Sequence, residues 1–208
     1  MARVFFTCAR TSQCRTQWIA NRPPKTKPDQ GSDARLAAMF TANSLTGSKP
    51  EQYAQLLEQA RGLMFGEADR IANAANLSAL LFNALPDVNW AGFYFFDGTE
   101  LVVGPFQGLP ACVRIALSKG VCGAAASSGQ TQRVADVHDF PGHIACDSAS
   151  NSEIVVPIVR NGELLGVLDL DSPVWSRFDD ALRPRPDAVL RAPLLDSLEL
   201  DPSRTPSA

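Results

Sequence analysis

The sequence predicts an α+β domain, with an antiparallel sheet of five or six strands and helices packed on one side. Three observations lead there. Between residues 50 and 86 apolar side chains recur at three-and-four spacing, as along a helix; from residue 88 the period falls to two or vanishes, as in strands; and Asp97-Gly98 and Asn161-Gly162 each join two strand-like segments as hairpin turns do.

Taken in order, residues 1–46 carry scattered Arg, the pair Pro23-Pro24 and no period. They read as a disordered extension, as translated sequence upstream of a true start at Met39, or as an organellar transit peptide, for which an Arg-rich, acid-free leader is suitable. From Lys49-Pro50, the stripe Tyr53, Leu56, Leu57, Ala60, Leu63 and Met64 predicts a first helix ending at Gly66. Asp69 is placed to cap a second helix, with Ile71, Ala74, Ala75, Ser78, Leu81, Phe82 and Leu85 on one face, which Pro86-Asp87 stops.

Strands follow over Val88–Phe96, Leu101–Phe106 and around Cys112–Ile115, then a short helix after Gly120 with Cys122 in its first turn, and a strand from Gln132 to Ala135. His138 to Ser152 reads as a long loop. Glu153–Val159 and Leu164–Asp169 complete the sheet across Asn161-Gly162. The body is therefore residues 50–178. Five prolines between Leu182 and Ser207 rule out a long helix in residues 179–208, which read as a Pro-rich, disordered tail.

The composition excludes several functions. Of 19 basic residues, six (Arg3, Arg10, Arg15, Arg22, Lys25, Lys27) precede the first acid, leaving 13 against 22 acids over the remaining 180 residues. So acidic a body argues against a nucleic-acid partner. No apolar run approaches the roughly 18 residues that span a bilayer. Five cysteines, an odd number without any CxxC, fit a reducing, cytoplasmic setting better than a secreted disulfide framework, with an organelle as the alternative if residues 1–28 are a transit peptide.

The chemistry gathers between Gly142 and Asp171. Cys146 sits in a polar loop beside His143 and ahead of Ser148, Ser150 and Ser152, where backbone amides can lower a thiol's pKa. Cys112 and Cys122 read on spacing alone as core residues, the usual fate of free cysteine. Glu153, Asp169 and Asp171 end apolar strands, and alternation sets Asp169 and Asp171 on one face. Such acids can bind an ammonium group, or one can stay protonated and donate a proton; the alternative is that Asp169 and Asp171 sit at a solvated strand end. Trp90 and Tyr94 also share a strand face, as core packing or as an aromatic wall against a thioether methyl group. His138, His143, Cys146 and a second cysteine could be zinc ligands, but their spacing matches no compact zinc pattern, and the expectation is no metal.

Asn89–Tyr94, Gly104–Gly108, Ala111–Ile115, Gly120–Gly123, Gly142–Val155 and Gly166–Ser172, in this order, resemble the free methionine-(R)-sulfoxide reductases, which are GAF-domain enzymes. The resemblance spans about Pro50 to Phe178 and implies reduction of free L-methionine (R)-S-oxide with thioredoxin as reductant, without flavin, nicotinamide or metal, in a homodimer. It implies Cys146 as the attacking thiol, Cys112 as the main resolving cysteine and Cys122 as a third redox cysteine. Glu153, Asp169 and Asp171 fall on the substrate-binding carboxylates, and Trp90 and Tyr94 on the aromatic wall. The basic leader has no counterpart in the family, and Pro184 and Pro186 interrupt its usual C-terminal helix. The alternative is a GAF module that binds a small ligand and regulates without catalysis.

Overall fold

The computed structural model describes residues 43–143 and 148–179. The expectations for the leader and the Pro-rich tail fall almost wholly outside them, as do Cys8 and Cys14. Residues 43–46 are tied to the first helix, where the side-chain amides of Gln55 and Gln59 exchange hydrogen bonds with the backbone of Thr46 and Asn43.

Helix α1 (Lys49–Met64) starts where the sequence puts it, with a proline in its first turn. The Glu51 carboxylate reaches back to accept from the Ser48 backbone N–H and hydroxyl, both at 2.7 Å. Helix α2 (Arg70–Ala84) is capped by Asp69, whose Oδ1 accepts from the N–H groups of Ile71 and Ala72 at 2.9 and 2.8 Å. Of the predicted face, Ala74, Ser78, Leu81 and Leu85 are buried and Phe82 packs on the core, while Ile71 and Ala75 are exposed and Asn73, Leu77 and Leu80 join the buried side. A helix apolar around most of its circumference offers more than one stripe, and tertiary packing chooses among them.

The sheet has six strands: β1 (Trp90–Phe96), β2 (Leu101–Gly108), β3 (Arg114–Ile115), β4 (Gln132–Val134), β5 (Ser152–Arg160) and β6 (Glu163–Ser172). All pairings are antiparallel in the order β3-β2-β1-β6-β5-β4. Asn161 and Gly162, at φ 51° and 85°, close β5 onto β6 as a two-residue turn with Arg160 opposite Glu163. The Asp97-Gly98 connection is longer than a two-residue turn. It spans residues 97–100, with Asp97 Oδ1 accepting from the N–H groups of Thr99 and Glu100.

Helices cover both sheet faces, where the sequence led us to expect one. On one face α1 and α2 pack over Ala91, Phe93, Ile154, Val156, Ile158, Leu168 and Leu170. On the other, the short helix α3 (Gly120–Ser128) packs Val121, Cys122, Ala125 and Ala126 against Tyr94, Val155 and Val167. Small residues all round α3 give it no apolar–polar contrast, so periodicity could not assign it a face. No helix among the described residues is long and apolar enough to cross a membrane.

Candidate functional site

Sheet register assembles the site on the α3 face. Asp171 pairs with Trp90 on β1 and with Glu153 on β5, and Asp169 pairs with Gly92 and Val155. Because side chains alternate along a strand, Trp90, Tyr94, Glu153, Asp169 and Asp171 all project to one side. There α3 closes a pocket of about 40 Å³, lined by these five residues together with Cys122 and His143.

Gly92 makes room for the arrangement. A Cβ there would lie 2.3 Å from Phe106 Cβ and 2.6 Å from Trp90 Cη2. The Trp90 ring therefore lies across Gly92, stacked with Phe106 at 5.2 Å and with Tyr94 at 5.8 Å between centroids, while its Nε1–H donates to the Leu109 carbonyl at 3.1 Å. Gly92→Ala is expected to cost about 1–3 kcal/mol, as overpacking does, and to displace the indole; the urea midpoint reads the first effect.

Glu153 and Asp169 are each 6% exposed and Cys122 is 3% exposed. This overturns the solvated strand end as an account of Asp169, while Asp171 at the strand's end is half-buried. Cys122 Sγ–H donates to Asp169 Oδ2 at 3.3 Å, and His143 Nε2 stands 3.8 Å from Glu153 Oε2. Burial, followed by the charges of Asp169 and Asp171, holds the Glu153 carboxyl well above its usual range. Burial pushes Asp169 up to about 7, against the pull of hydrogen bonds from Cys122 and Glu153. The Cys122 thiol is pushed well up by burial and then by the neighbouring carboxylates. A thiol so placed is protonated at neutral pH and is a poor nucleophile. Burial holds His143 below the usual imidazole value, so it is neutral.

The start of α3 supplies the opposite polarity. Lys119 precedes the helix, and Lys119, Gly120 and Val121 line the pocket. The first N–H groups of a helix lack intrahelical acceptors and favour an anion. One pocket thus offers acids, an aromatic wall and a helix N-terminus, which suits a small zwitterion with an apolar or sulfur-bearing side chain. The sequence reading placed the start of this helix after Gly120 but gave neither it nor Lys119 a binding role, because a lone lysine before a short helix of small residues does not stand out from a helix cap.

Other predicted residues lie apart or outside. Cys112 is half-buried and packs at the margin of the α3-side core, while its neighbours Pro110 and Ala111 line the pocket. Cys146 lies outside the described residues; His143 before it and Ser150 after it both line the pocket. Asn89 Nδ2–H donates to Ser150 Oγ at 3.0 Å, and Asn151 N–H donates to the Ser172 carbonyl at 2.7 Å, which fastens the end of this loop to the sheet. Of the zinc set considered from sequence, Cys146 lies outside the described residues, and the exposed His138 is engaged with Asp136 at 2.8 Å.

Residues 54–183 match the GAF domain family. The chain is 55% identical over 133 residues to the free methionine-R-sulfoxide reductase of Escherichia coli K12, covering 64% of this chain and 81% of that one. It is 47% identical over 140 residues to the free methionine-R-sulfoxide reductase of Saccharomyces cerevisiae, with coverage of 64% and 78%. Among solved structures, the Neisseria meningitidis free methionine-R-sulfoxide reductase in complex with its substrate superposes with a TM-score of 0.72 at 39% identity, covering 76% of this chain and 98% of that one.

Proposed function

The chain belongs to the free methionine-R-sulfoxide reductases of the GAF-domain family, and on that premise we propose that it reduces free L-methionine (R)-S-oxide to L-methionine by cysteine chemistry, with thioredoxin as the electron donor. The observation that carries the reading is the buried Glu153–Asp169 pair, with Asp171 alongside, facing Trp90 and Tyr94 across one pocket. The acids suit the substrate's ammonium and sulfoxide oxygen, the aromatic wall suits its S-methyl group, and the α3 N-terminus with Lys119 suits its carboxylate. A free amino acid uses all three; a methionine sulfoxide inside a polypeptide has neither terminal charge.

In the proposed mechanism Cys146 is the nucleophile. Cys122 is unsuited to that role by its burial and its bond to Asp169. The Cys146 thiolate attacks the sulfoxide sulfur, and the oxygen must take up a proton as the S–O bond breaks. Glu153, held protonated by burial and its acidic neighbours, is the donor we favour. The protonated oxygen passes as hydroxyl from the methionine sulfur to the cysteine sulfur, the S–S bond formed in the attack breaks with its electron pair going to methionine, and Cys146 is left as sulfenic acid. Cys112 condenses with it, releasing water and leaving a Cys112–Cys146 disulfide that thioredoxin reduces by thiol exchange.

The test is NADPH oxidation coupled through thioredoxin reductase and thioredoxin, with free methionine (R)-S-oxide, its (S) epimer and a peptide containing the (R)-sulfoxide as parallel substrates. Turnover of the free (R) epimer alone is expected. A folded protein that turns over none of them would leave a non-catalytic, ligand-binding GAF module as the better account.

A further inference from the structure

We propose that Cys122, Glu153 and Asp169, with His143 as a fourth ligand, form a binding site for one zinc-type divalent ion, and that an ion held there excludes the substrate. The exclusion rests on the pocket being the substrate site as read above; the binding does not. One sulfur from Cys122 and one carboxylate oxygen each from Glu153 and Asp169 lie within 4.8 Å of one another. Zinc bonds of about 2.0–2.3 Å in a tetrahedron set ligand atoms roughly 3.3–3.8 Å apart. Cys122 Sγ and Asp169 Oδ2 stand 3.3 Å apart, and His143 Nε2 is 3.8 Å from Glu153 Oε2. Cys122, Glu153 and Asp169 form that close group as they stand, while His143 Nε2 lies outside it beside Glu153 and would have to swing in to complete the tetrahedron.

A second observation points to a ligand at the same place. Asp169 Oδ1 is buried in the pocket wall, and no N–H, thiol or alcohol hydroxyl group among the described residues donates to it, which leaves only the Glu153 carboxyl beside it. A buried acceptor left in this way costs free energy that a cation would recover. The donor set then selects the ion. One thiolate, one imidazole and two carboxylates suit zinc, whereas magnesium and calcium favour oxygen alone. On ligation the Cys122 S–H bond is replaced by an S–metal bond and the proton passes to solvent; nothing is oxidised or reduced. The ligands come from α3, β5, β6 and the segment after residues 137–139, so the ion would also cross-link the pocket.

The experiment titrates cobalt(II), as a visible stand-in for zinc, into the reduced full-length protein. Wild type and Cys146→Ser are expected to bind one ion with a thiolate-to-cobalt charge-transfer band that zinc displaces and magnesium does not. Cys122→Ser is expected to lose the band. Asp169→Asn should keep it with affinity lowered about tenfold or more, and this variant decides the matter if Cys122→Ser does not fold. Zinc should raise the apparent KM for free methionine (R)-S-oxide and leave kcat unchanged. No band, a band that persists in Cys122→Ser, or an Asp169→Asn affinity equal to wild type would each overturn the site. A band that follows Cys122 in a protein without reductase activity would leave the metal site standing and remove the reductase reading.

Discussion

Cys146→Ser is expected to lower turnover of free methionine (R)-S-oxide by at least about a thousandfold, the scale of loss when an enzyme's nucleophile is removed, with the urea midpoint unchanged. A serine hydroxyl is not ionised at neutral pH and cannot carry the oxygen away as a sulfenic acid. The companion variants divide the roles. Cys112→Ser should still yield about one methionine per chain in a single turnover without thioredoxin and then stop, because the sulfenic acid forms but is not resolved. Cys122→Ser should lose far less than Cys146→Ser, since a serine Oγ–H can donate to Asp169 Oδ2 as the thiol does at 3.3 Å. If Cys122→Ser were the variant with the thousandfold loss, the assignment of the nucleophile would be reversed. Quenched single-turnover reactions with methionine quantified by chromatography read all three.

Much of this fold is legible in the chain because local signals and tertiary packing agree. Asp69 caps a helix, Asn161-Gly162 has the positive φ pair that its turn demands, and strand alternation alone sets Asp169 and Asp171 on one face. Strand identity is local; strand neighbours are not. That Glu153 stands opposite Asp171, and Asp171 opposite Trp90, follows from β6 lying between β5 and β1, and no single segment encodes this order. For the same reason the acids could equally have been a solvated strand end. What buries them is α3, a helix of small residues without an amphipathic stripe to reveal its docking face. The hydrogen bond from Cys122 to Asp169 joins residues 47 apart and is likewise invisible to spacing.

Asp169 is where stability and activity should move in opposite directions. Its carboxyl is raised from an ordinary 3.8 to about 7, chiefly by burial. Between these values the native state holds a proton that the unfolded chain has already released. The unfolded state therefore binds fewer protons, unfolding free energy falls as pH rises through this window, and it levels off above about 7. At about 1.4 kcal/mol per pH unit, the ionised Asp169 costs up to about 4 kcal/mol at pH 8. Glu153 is shifted in the same direction and adds to the trend. Asp169→Asn keeps the shape and the acceptor for the Cys122 thiol but has no charge to bury. It is expected to stabilise the protein by about 2–4 kcal/mol at pH 8 and by less than half as much at pH 5, read by urea denaturation at the two values. Its kcat/KM for free methionine (R)-S-oxide should nevertheless fall by about a hundredfold or more, because a charge that helps hold the ammonium and shapes the proton affinity of Glu153 is gone. Equal stability at pH 8 would mean that the Asp169 charge is already balanced in the native pocket. Wild-type kcat/KM in the variant would remove Asp169 from the substrate site. A variant more stable and less active fits one cause only: the enzyme keeps a carboxylate where burial disfavours it, because the substrate's cationic and proton-accepting groups need it there.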